Sequence, residues 1–243
     1  MNTALILAGG IGTRLGADVP KQYIEVNNRP IIAYCMDTFF DSDSVDAVWI
    51  VADVSWQEYI HEQIEQQANK QKFYGFSEPG KNRQLSIWNG LNDMQEYAGE
   101  EDLVIIHDAA RPCLSKELLA SCIGAADAHD GVLPVLPMKD TVYYSNDGKK
   151  ISRLLSRSNV LAGQAPEVFR FGRYMEANRI LFPEEILKIN GSTEPAVLAG
   201  MDIVTIPGDE KNYKITTQED LNRFCEEMRI QGLRHMHCMQ SMI

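Results

Sequence analysis

Apolar runs alternate with amphipathic stretches along the first half of the chain. The runs TALILAG, DAVWIVAD and DLVIIHDAA are almost continuously apolar, which is typical of strands covered on both faces. The stretches between them have helical spacing; Ile31, Tyr34, Cys35 and Thr38 fall at i, i+3, i+4 and i+7. This alternation predicts an α/β fold, with a Rossmann-like, mostly parallel sheet and helices on both faces.

The alternation stops after residue 131. Two extended runs flank the segment SNDGKK, and Asp-Gly between extended runs is a strong signal for a β-hairpin. Because an isolated two-stranded hairpin is marginally stable in water, we expect residues 137–162 to form a projecting arm that packs on a second copy of the chain. A helix (FGRYMEANRIL), a strand (MDIVTIPG) and a final helix (TTQEDLNRFCEEMRIQGL) complete what we predict to be a single domain, residues 1–243.

Composition narrows the range of partners. Hydrophobic residues make up 44% of the chain and charged residues 23%, which is ordinary for a globular protein. The formal net charge of −11 argues against nucleic acid or an anionic membrane surface as the main partner. An anionic small molecule remains compatible with this charge if basic residues are gathered in one pocket.

The cysteines and the two termini bear on the compartment. The five cysteines are scattered, with no C-x-x-C pair, and this predicts free thiols in a reducing compartment. TALILAGG is too short for a signal peptide or a membrane span, so we predict a cytoplasmic protein. His235, His237 and Cys238 suggest a metal site, but a terminus that is weakly ordered or faces a dimer partner accounts for them better, because no fourth ligand follows.

The segment LILAGGIGTRLGADVPKQY (residues 5–23) resembles a dinucleotide-binding turn only in part. That turn needs G-x-G-x-x-G and an acid about 20 positions further on. Here Leu15 stands where the third glycine belongs, and Asp53, the acid that ends the second strand, lies roughly twice as far away. No G-K-[ST] follows, as a P-loop would require. An NAD-dependent oxidoreductase is therefore disfavoured.

The same segment has the chemistry of a phosphate cradle. Gly9, Gly10 and Gly12 allow the backbone to approach a ligand closely, and successive N–H groups can bind an anion. Arg14 and Lys21 add positive charge on the same segment. The alternative is a tight strand–helix turn with two solvated basic residues, which the glycines alone do not exclude.

The full combination G-x-G-T-R-x-G…P-K is more specific, and it resembles the signature of the CTP-dependent cytidylyltransferases of polyol phosphates. The resemblance continues in order through PGKNRQLSIWNGL, IIHDAARPCL, PVLPMKDTV, GQAPEVF and NYKITTQEDL, and so covers essentially the whole chain. It implies a fold of the nucleotide-diphospho-sugar transferase type and an enzyme that transfers CMP from CTP to a polyol phosphate. It also implies Mg²⁺ as the cofactor and a homodimer formed through the arm.

The resemblance also assigns roles to particular residues. Those implied to bind the nucleotide are Ala8, Gly9, Gly10, Gly12, Gly80 and Ser86, and those implied in catalysis are Arg14, Lys21 and Lys214. Those implied to bind the acceptor are Arg111, Thr141, Arg157 and Asn190, and the implied metal ligand is Asp108. Thr141 and Arg157 would reach the acceptor in the neighbouring subunit.

Simpler roles remain open for several of these residues. Asp108 could cap the following helix, Ser86 could be an ordinary serine near a helix N-terminus, and Arg157 could be a solvated residue of the hairpin. Arg83 is expected to order its loop, and His107 to be a packed histidine or one that supports the site from behind.

Two departures from the family pattern lie on the acceptor side. QAPE (residues 164–167) replaces the common Q-T-P-Q, and NGSTE (residues 190–194, counted back from Gly200) replaces T-D-[DE]-A-S. Two hydroxyls are therefore missing near the acceptor, and Ser192 and Thr193 could replace them only from shifted positions. The acceptor, of the methylerythritol phosphate or the ribitol phosphate type, stays open, and so does a non-catalytic nucleotide-binding regulator.

Overall fold

The computed structural model of the chain describes residues 1–10, 12 and 19–240, with side chains placed for all of these except 231–240. The strands are β1 (Asn2–Leu7), β2 (Glu25–Val26), β3 (Arg29–Pro30), β4 (Ala47–Val51), β5 (Phe73–Ser77), β6 (Leu103–Asp108), β7 (Gly131–Pro137), β8 (Tyr143–Tyr144), β9 (Arg153–Leu154), β10 (Leu161–Gly163), β11 (Glu167–Arg170) and β12 (Ile203–Pro207). The helices are α1 (Ile31–Phe40), α2 (Val54–Glu65), α3 (Arg83–Met94), α4 (Lys116–Ala125), α5 (Phe171–Leu181), α6 (Glu194–Leu198) and α7 (Gln218–Gln240).

Within the described residues, eight strands form one sheet in the order β10-β7-β11-β6-β1-β4-β5, with β12 also paired to β7. β1 pairs in parallel with β4 on one side and with β6 on the other, and β4 pairs in parallel with β5. β10 and β11 run antiparallel to their neighbours. The predicted mostly parallel sheet is confirmed for the centre, and the antiparallel strands fall after residue 131, where the regular alternation ends.

The chain reverses its course across the sheet at β1. It passes from β1 to β4 and β5 on one side, and then returns to β6 on the other side. In α/β sheets, ligands bind outside the carboxyl ends of the strands at such a switch point. Leu7 and Asp108 are register partners at those ends, so Asp108 and the loop that follows β1 flank the expected binding crevice.

Successive residues of the central strands face two different layers of helices. Ala4 and Ile6 of β1 belong to a core that includes residues of α1, α2 and α4, whereas Leu5 belongs to a second core with residues of α3, α5 and α6. Because both faces are covered, neither can be polar, which accounts for the continuous apolar runs. The prediction of helices on both faces is confirmed.

Short polar side chains begin three of the described helices. Asp53 begins α2, Asn82 begins α3 and Ser115 begins α4, and each accepts a hydrogen bond from a backbone N–H two or three residues later. Asp53 is thus a helix cap. This role accounts for the acid that follows β4 without any contact to a ribose.

The hairpin expected in the arm is present. β8 and β9 pair antiparallel, with Tyr143 opposite Leu154, and Gly148 in the turn has φ +68°, a conformation that favours glycine. The arm leaves the sheet at the end of β7 and returns through β10, where Leu161 lies opposite Pro137. Tyr143 and Leu154 are both more than half exposed. In the single chain the arm therefore presents apolar side chains to solvent.

Two further expectations concern membranes and thiols. Among the described helices, none combines the length and the hydropathy that a membrane span requires. The cysteines with described side chains, Cys35, Cys113, Cys122 and Cys225, are free thiols, as predicted. Cys238 and the two histidines of the tail lie in the stretch whose side chains are not described.

Candidate active site

A cleft of about 470 Å³ opens at the carboxyl ends of β1 and β6. The sequence-predicted residues that line it are Gly9, Gly10, Gly12, Lys21, Gly80, Ser86, Asp108 and Lys214. Lys81 and Arg83 line it as well, so the described lining contains four cationic side chains and one anionic side chain. This net charge of +3, in a chain of net charge −11, is the local gathering of basic residues that an anionic ligand requires.

The loop after β1 is held in place by Gln22. The side-chain amide of Gln22 donates hydrogen bonds to the carbonyl oxygens of Ala8 (2.5 Å) and Gly10 (2.7 Å), and the Tyr23 hydroxyl donates to Ala8 at 3.0 Å. Ala8 is buried and lies behind the described lining of the cleft. Gly12 has φ +62°, which favours glycine at this point of the loop.

Gly9 and Gly10 have different surroundings although they are adjacent. A Cβ on Gly9 would lie 2.3 Å from the Cβ of Pro79, whereas a Cβ on Gly10 would meet no atom of the described residues within 4 Å. Gly9 is therefore required for the close approach of two loops. Among the described residues, no close contact requires glycine at position 10.

The loop before α3 is organised around Ser86. Its Oγ accepts a hydrogen bond from the Gly80 N–H (3.0 Å) and donates one to the carbonyl oxygen of Asn82 (3.0 Å). A Cβ on Gly80 would lie 2.5 Å from Cγ of Leu85, so this loop also has no room for a side chain. Ser86 therefore has a structural function in the loop in addition to its position in the lining.

Asp108 is surrounded by three cations. Its Oδ1 accepts a hydrogen bond from Arg83 Nε at 3.1 Å, and its Oδ2 lies 3.1 Å from Lys214 Nζ and 3.4 Å from Arg111 Nε. Asp108 is 8% exposed, and a carboxylate so buried is stable in its ionised form only when it is paired. The start of α3, the turn after β6 and the segment before α7 therefore meet at one side chain.

The pKa values follow from these contacts. Burial alone would raise the pKa of Asp108, but Arg83, Lys214 and Arg111 outweigh burial and hold that pKa well below its usual range. Burial alone would lower the pKa of Arg83, and the neighbouring carboxylates raise it instead. Burial lowers the pKa of His107 to about 4, so its ring is neutral at pH 7. Asp108 and Arg83 are therefore both ionised at neutral pH.

Two residues predicted to bind the acceptor, Arg111 and Asn190, are not among the described lining of the cleft. Arg111 Nη1 donates to the carbonyl oxygen of Asn212 at 2.7 Å, and its Nε contacts Asp108, so the guanidinium is engaged on two sides. Asn190 is exposed, and its side-chain amide donates to the carbonyl oxygen of Lys188 at 3.2 Å. Their acceptor contacts stay a prediction.

The other two predicted acceptor residues lie on the arm. Thr141 is exposed near its start, and Arg157 is exposed at its base, where Nη1 donates to the carbonyl oxygen of Lys139 at 2.9 Å. Neither residue belongs to the described lining of the cleft in its own chain. Arg14, predicted to act in catalysis, lies outside the described residues.

The donor set at Asp108 fits a divalent cation that arrives with a nucleotide. Among the residues that the structure describes, no group of three or more His, Cys, Asp or Glu could hold a metal ion. Asp108 nevertheless lines the cleft with one carboxylate. Mg²⁺ is commonly bound by one or two carboxylates together with substrate phosphates and water, so a single acid suffices where the nucleotide supplies the other ligands.

A cation-lined cleft with a glycine loop, at the switch point of a largely parallel sheet, defines a nucleotide-binding α/β protein. The model of the 2-C-methyl-D-erythritol 4-phosphate cytidylyltransferase family matches residues 2–228. The protein of that name from Geobacter metallireducens is 34% identical over 221 residues, which are 90% of this chain and 93% of the relative. Ribitol-5-phosphate cytidylyltransferase from Streptococcus agalactiae serotype III is 29% identical over 225 residues, 92% of this chain and 94% of that protein.

Solved structures agree with these relatives. The crystal structure of a 4-diphosphocytidyl-2C-methyl-D-erythritol synthase matches with a TM-score of 0.76 and 25% identity, over 92% of this chain and 96% of that one. The chain belongs to the 2-C-methyl-D-erythritol 4-phosphate cytidylyltransferase family. It is an enzyme, a cytidylyltransferase, and the predicted fold and enzyme class are confirmed.

The contrast between Gly9 and Gly10 leads to a testable prediction. Gly9→Ala should lower the free energy of unfolding by about 1–3 kcal/mol, because the new methyl group overlaps Pro79. Gly10→Ala, the matched control, should change it by no more than about 0.5 kcal/mol. Urea unfolding of both variants measures these values. Equal stability of the two variants would contradict the close approach of the loops.

Proposed function

We propose that the enzyme transfers CMP from CTP to the phosphate of a polyol phosphate, giving a CDP-polyol and pyrophosphate. The observation that carries the proposal is the cleft in which the glycine loop, Lys21, Lys214 and Asp108 lie together. Two of its relatives are named for 2-C-methyl-D-erythritol 4-phosphate and for ribitol 5-phosphate. Both compounds are phosphate monoesters of short polyols, and this shared chemistry defines the acceptor class.

The triphosphate is assigned to the wall of the cleft formed by the glycine loop and the two lysines. Lys21 Nζ donates a hydrogen bond to the carbonyl oxygen of Ile215 at 2.7 Å, so its ammonium group lies between the glycine loop and the segment before α7. Lys214 lies in that same segment and lines the cleft. The catalytic role of Arg14 is carried by the family resemblance alone.

The base is assigned to the loop before α3. The Ser86 hydroxyl joins the Gly80 N–H to the carbonyl oxygen of Asn82, which gives this loop a fixed shape. Backbone groups that are already ordered lose little entropy when a ligand binds, and they present donors and acceptors at fixed positions. Such a loop is suited to recognising the hydrogen-bond donors and acceptors of one particular nucleotide base.

The chemistry requires positioning rather than a side-chain base. A phosphate monoester with a second pKa of about 6 is largely dianionic at pH 7, so its oxygen is already a nucleophile. This oxygen forms a bond to the α-phosphorus of CTP while the bond from that phosphorus to the bridging oxygen breaks, and pyrophosphate departs with the bridging oxygen. Lys21 and Lys214 neutralise the charge on the phosphates. Mg²⁺, held at Asp108 when bound, would supply further neutralisation.

The chain is proposed to act as a single domain whose arm, residues 137–162, joins it to a second copy. The exposed apolar residues Tyr143 and Leu154 favour such a contact. Thr141 and Arg157 lie on the arm, outside the cleft of their own chain, which suits residues that complete the cleft of the partner copy. The free thiols and the net charge favour a cytoplasmic enzyme without a nucleic-acid or membrane partner.

Pyrophosphate release tests the proposal directly. The protein is incubated with CTP and Mg²⁺, and 2-C-methyl-D-erythritol 4-phosphate or ribitol 5-phosphate is added in separate reactions. We expect release with at least one acceptor, and none when the acceptor is omitted. If calorimetry shows that CTP binds but no pyrophosphate is released with any polyol phosphate, the proposal is contradicted. That result would favour a non-catalytic nucleotide-binding regulator.

The role of Lys21 can be measured in the same assay. Lys21→Ala should lower turnover by roughly 10²–10³-fold, because a fixed positive charge beside the reacting phosphates is lost. Lys70→Ala is the control, since Lys70 is an exposed lysine that pairs with Glu65 away from the cleft. Near-normal turnover of the Lys21 variant would remove this residue from the catalytic set.

A further inference from the structure

Glu167 is a buried carboxylate that does not line the cleft. It is the first residue of β11, beside Ile106 of β6, and it is 8% exposed. Its Oε1 accepts a hydrogen bond from Ser192 Oγ, and its Oε2 accepts one from Thr193 Oγ1 at 2.7 Å. The carboxylate therefore fastens the segment before α6 to the sheet.

The same carboxylate faces Arg83. Arg83 Nη2 lies 3.7 Å from Oε1 of Glu167, Nη1 donates to Ser192 Oγ at 2.5 Å, and Nε donates to Oδ1 of Asp108 at 3.1 Å. The Ser192 hydroxyl accepts a hydrogen bond from the guanidinium and donates one to Glu167, so its single proton is used in the bond to Glu167. Because a guanidinium is planar, occupation of both its edges fixes its orientation in the cleft.

The backbone around Ser192 is held independently of Glu167. The Tyr174 hydroxyl donates to the carbonyl oxygen of Ser192 at 2.7 Å, and Tyr174 is fully buried. A substitution at position 167 that keeps the side-chain shape should therefore leave the segment in place. Its main effect is then on the charge beside Arg83.

The position of this negative charge departs from the family pattern. Counted back from Gly200, the two acidic positions of T-D-[DE]-A-S fall on Gly191 and Ser192, and the last glutamine of Q-T-P-Q falls on Glu167. This chain therefore has no acid at those two positions of the segment, and it has one on the strand that faces them. Besides Asp108, the carboxylate that contacts Arg83 comes from β11.

We propose that Glu167 is a positioning residue for the transfer reaction: it holds the Arg83 guanidinium beside Asp108, in place of an acid at position 191 or 192. The inference rests on the proposed cytidylyl transfer, because Arg83 lines the cleft to which that reaction is assigned. Glu167 acts through Arg83 and has no direct contact with the reacting groups.

Moving the acid from position 167 to position 192 tests the proposal. Glu167→Gln removes the charge and keeps the shape, and Ser192→Asp alone places a second acid against the first. Each single variant should lower kcat by roughly tenfold to a hundredfold, the loss expected when a group is misplaced by about an ångström. In the double variant an acid again contacts Arg83, and the new amide can donate to it, so kcat should return to within about threefold of the original value. Glu176→Gln, an exposed position paired with Arg179, is the control that should change nothing.

Two further readouts separate positioning from loss of the fold. Glu167→Gln should bind one CTP per chain with unchanged Kd while kcat falls, because Arg83 keeps its ion pair with Asp108 and Glu167 does not line the cleft. The urea midpoints should fall in each single variant and recover in the double variant. Normal kcat in Glu167→Gln, or a double variant that recovers neither kcat nor midpoint, would overturn the proposal. The two proposals can also fail separately. If the unsubstituted enzyme releases no pyrophosphate but the urea midpoint recovers in the double variant, the proposed function fails. The conclusion that an acid at position 192 can replace the one at position 167 is then still upheld.

Discussion

The ion pairs at Asp108 join parts of the chain that the sheet alone would leave independent. Arg83 begins α3, Arg111 follows β6 and Lys214 precedes α7, and all three approach the same carboxylate. Three cations around one buried acid repel one another, and the arrangement is stable only while that acid is ionised. The positive charge that Asp108 does not neutralise is then available to an anionic ligand. The same group of cations around Asp108 therefore both joins these segments and gives the cleft its capacity to bind phosphate.

Much of the fold could be predicted from the sequence, because its signals are local. The apolar period distinguishes strands from helices, and Asp-Gly predicts the hairpin that has Gly148 at its turn. A central part of the site was predictable for a related reason. Parallel strands end at one edge, so Asp108 at the end of β6 had to lie near the glycine loop that follows β1.

The contacts that orient the site could not be predicted, because they join residues far apart in the chain and follow no period. Gln22 holds the glycine loop from inside, although a polar residue after a lysine looks like a surface residue. Arg83, expected only to order its loop, bridges Asp108 and Glu167. The departures at 164–167 and at 190–194 were visible separately in the sequence, and the structure shows that Glu167 and Ser192 are in contact. A single sequence contains no sign that these two positions are in contact.

Asp108 organises the cations of the cleft, and this role is separate from the metal binding that the family resemblance implies for it. The affinity of CTP for Asp108→Asn, measured by calorimetry in EDTA without divalent cations, tests this claim directly. If Asp108 holds Arg83 and Lys214 in place, the variant should bind CTP roughly tenfold more weakly or worse even without metal, because its cations separate. If Asp108 served only to bind the metal, removal of its negative charge would leave metal-free CTP affinity unchanged or make it tighter, and that result would contradict the account.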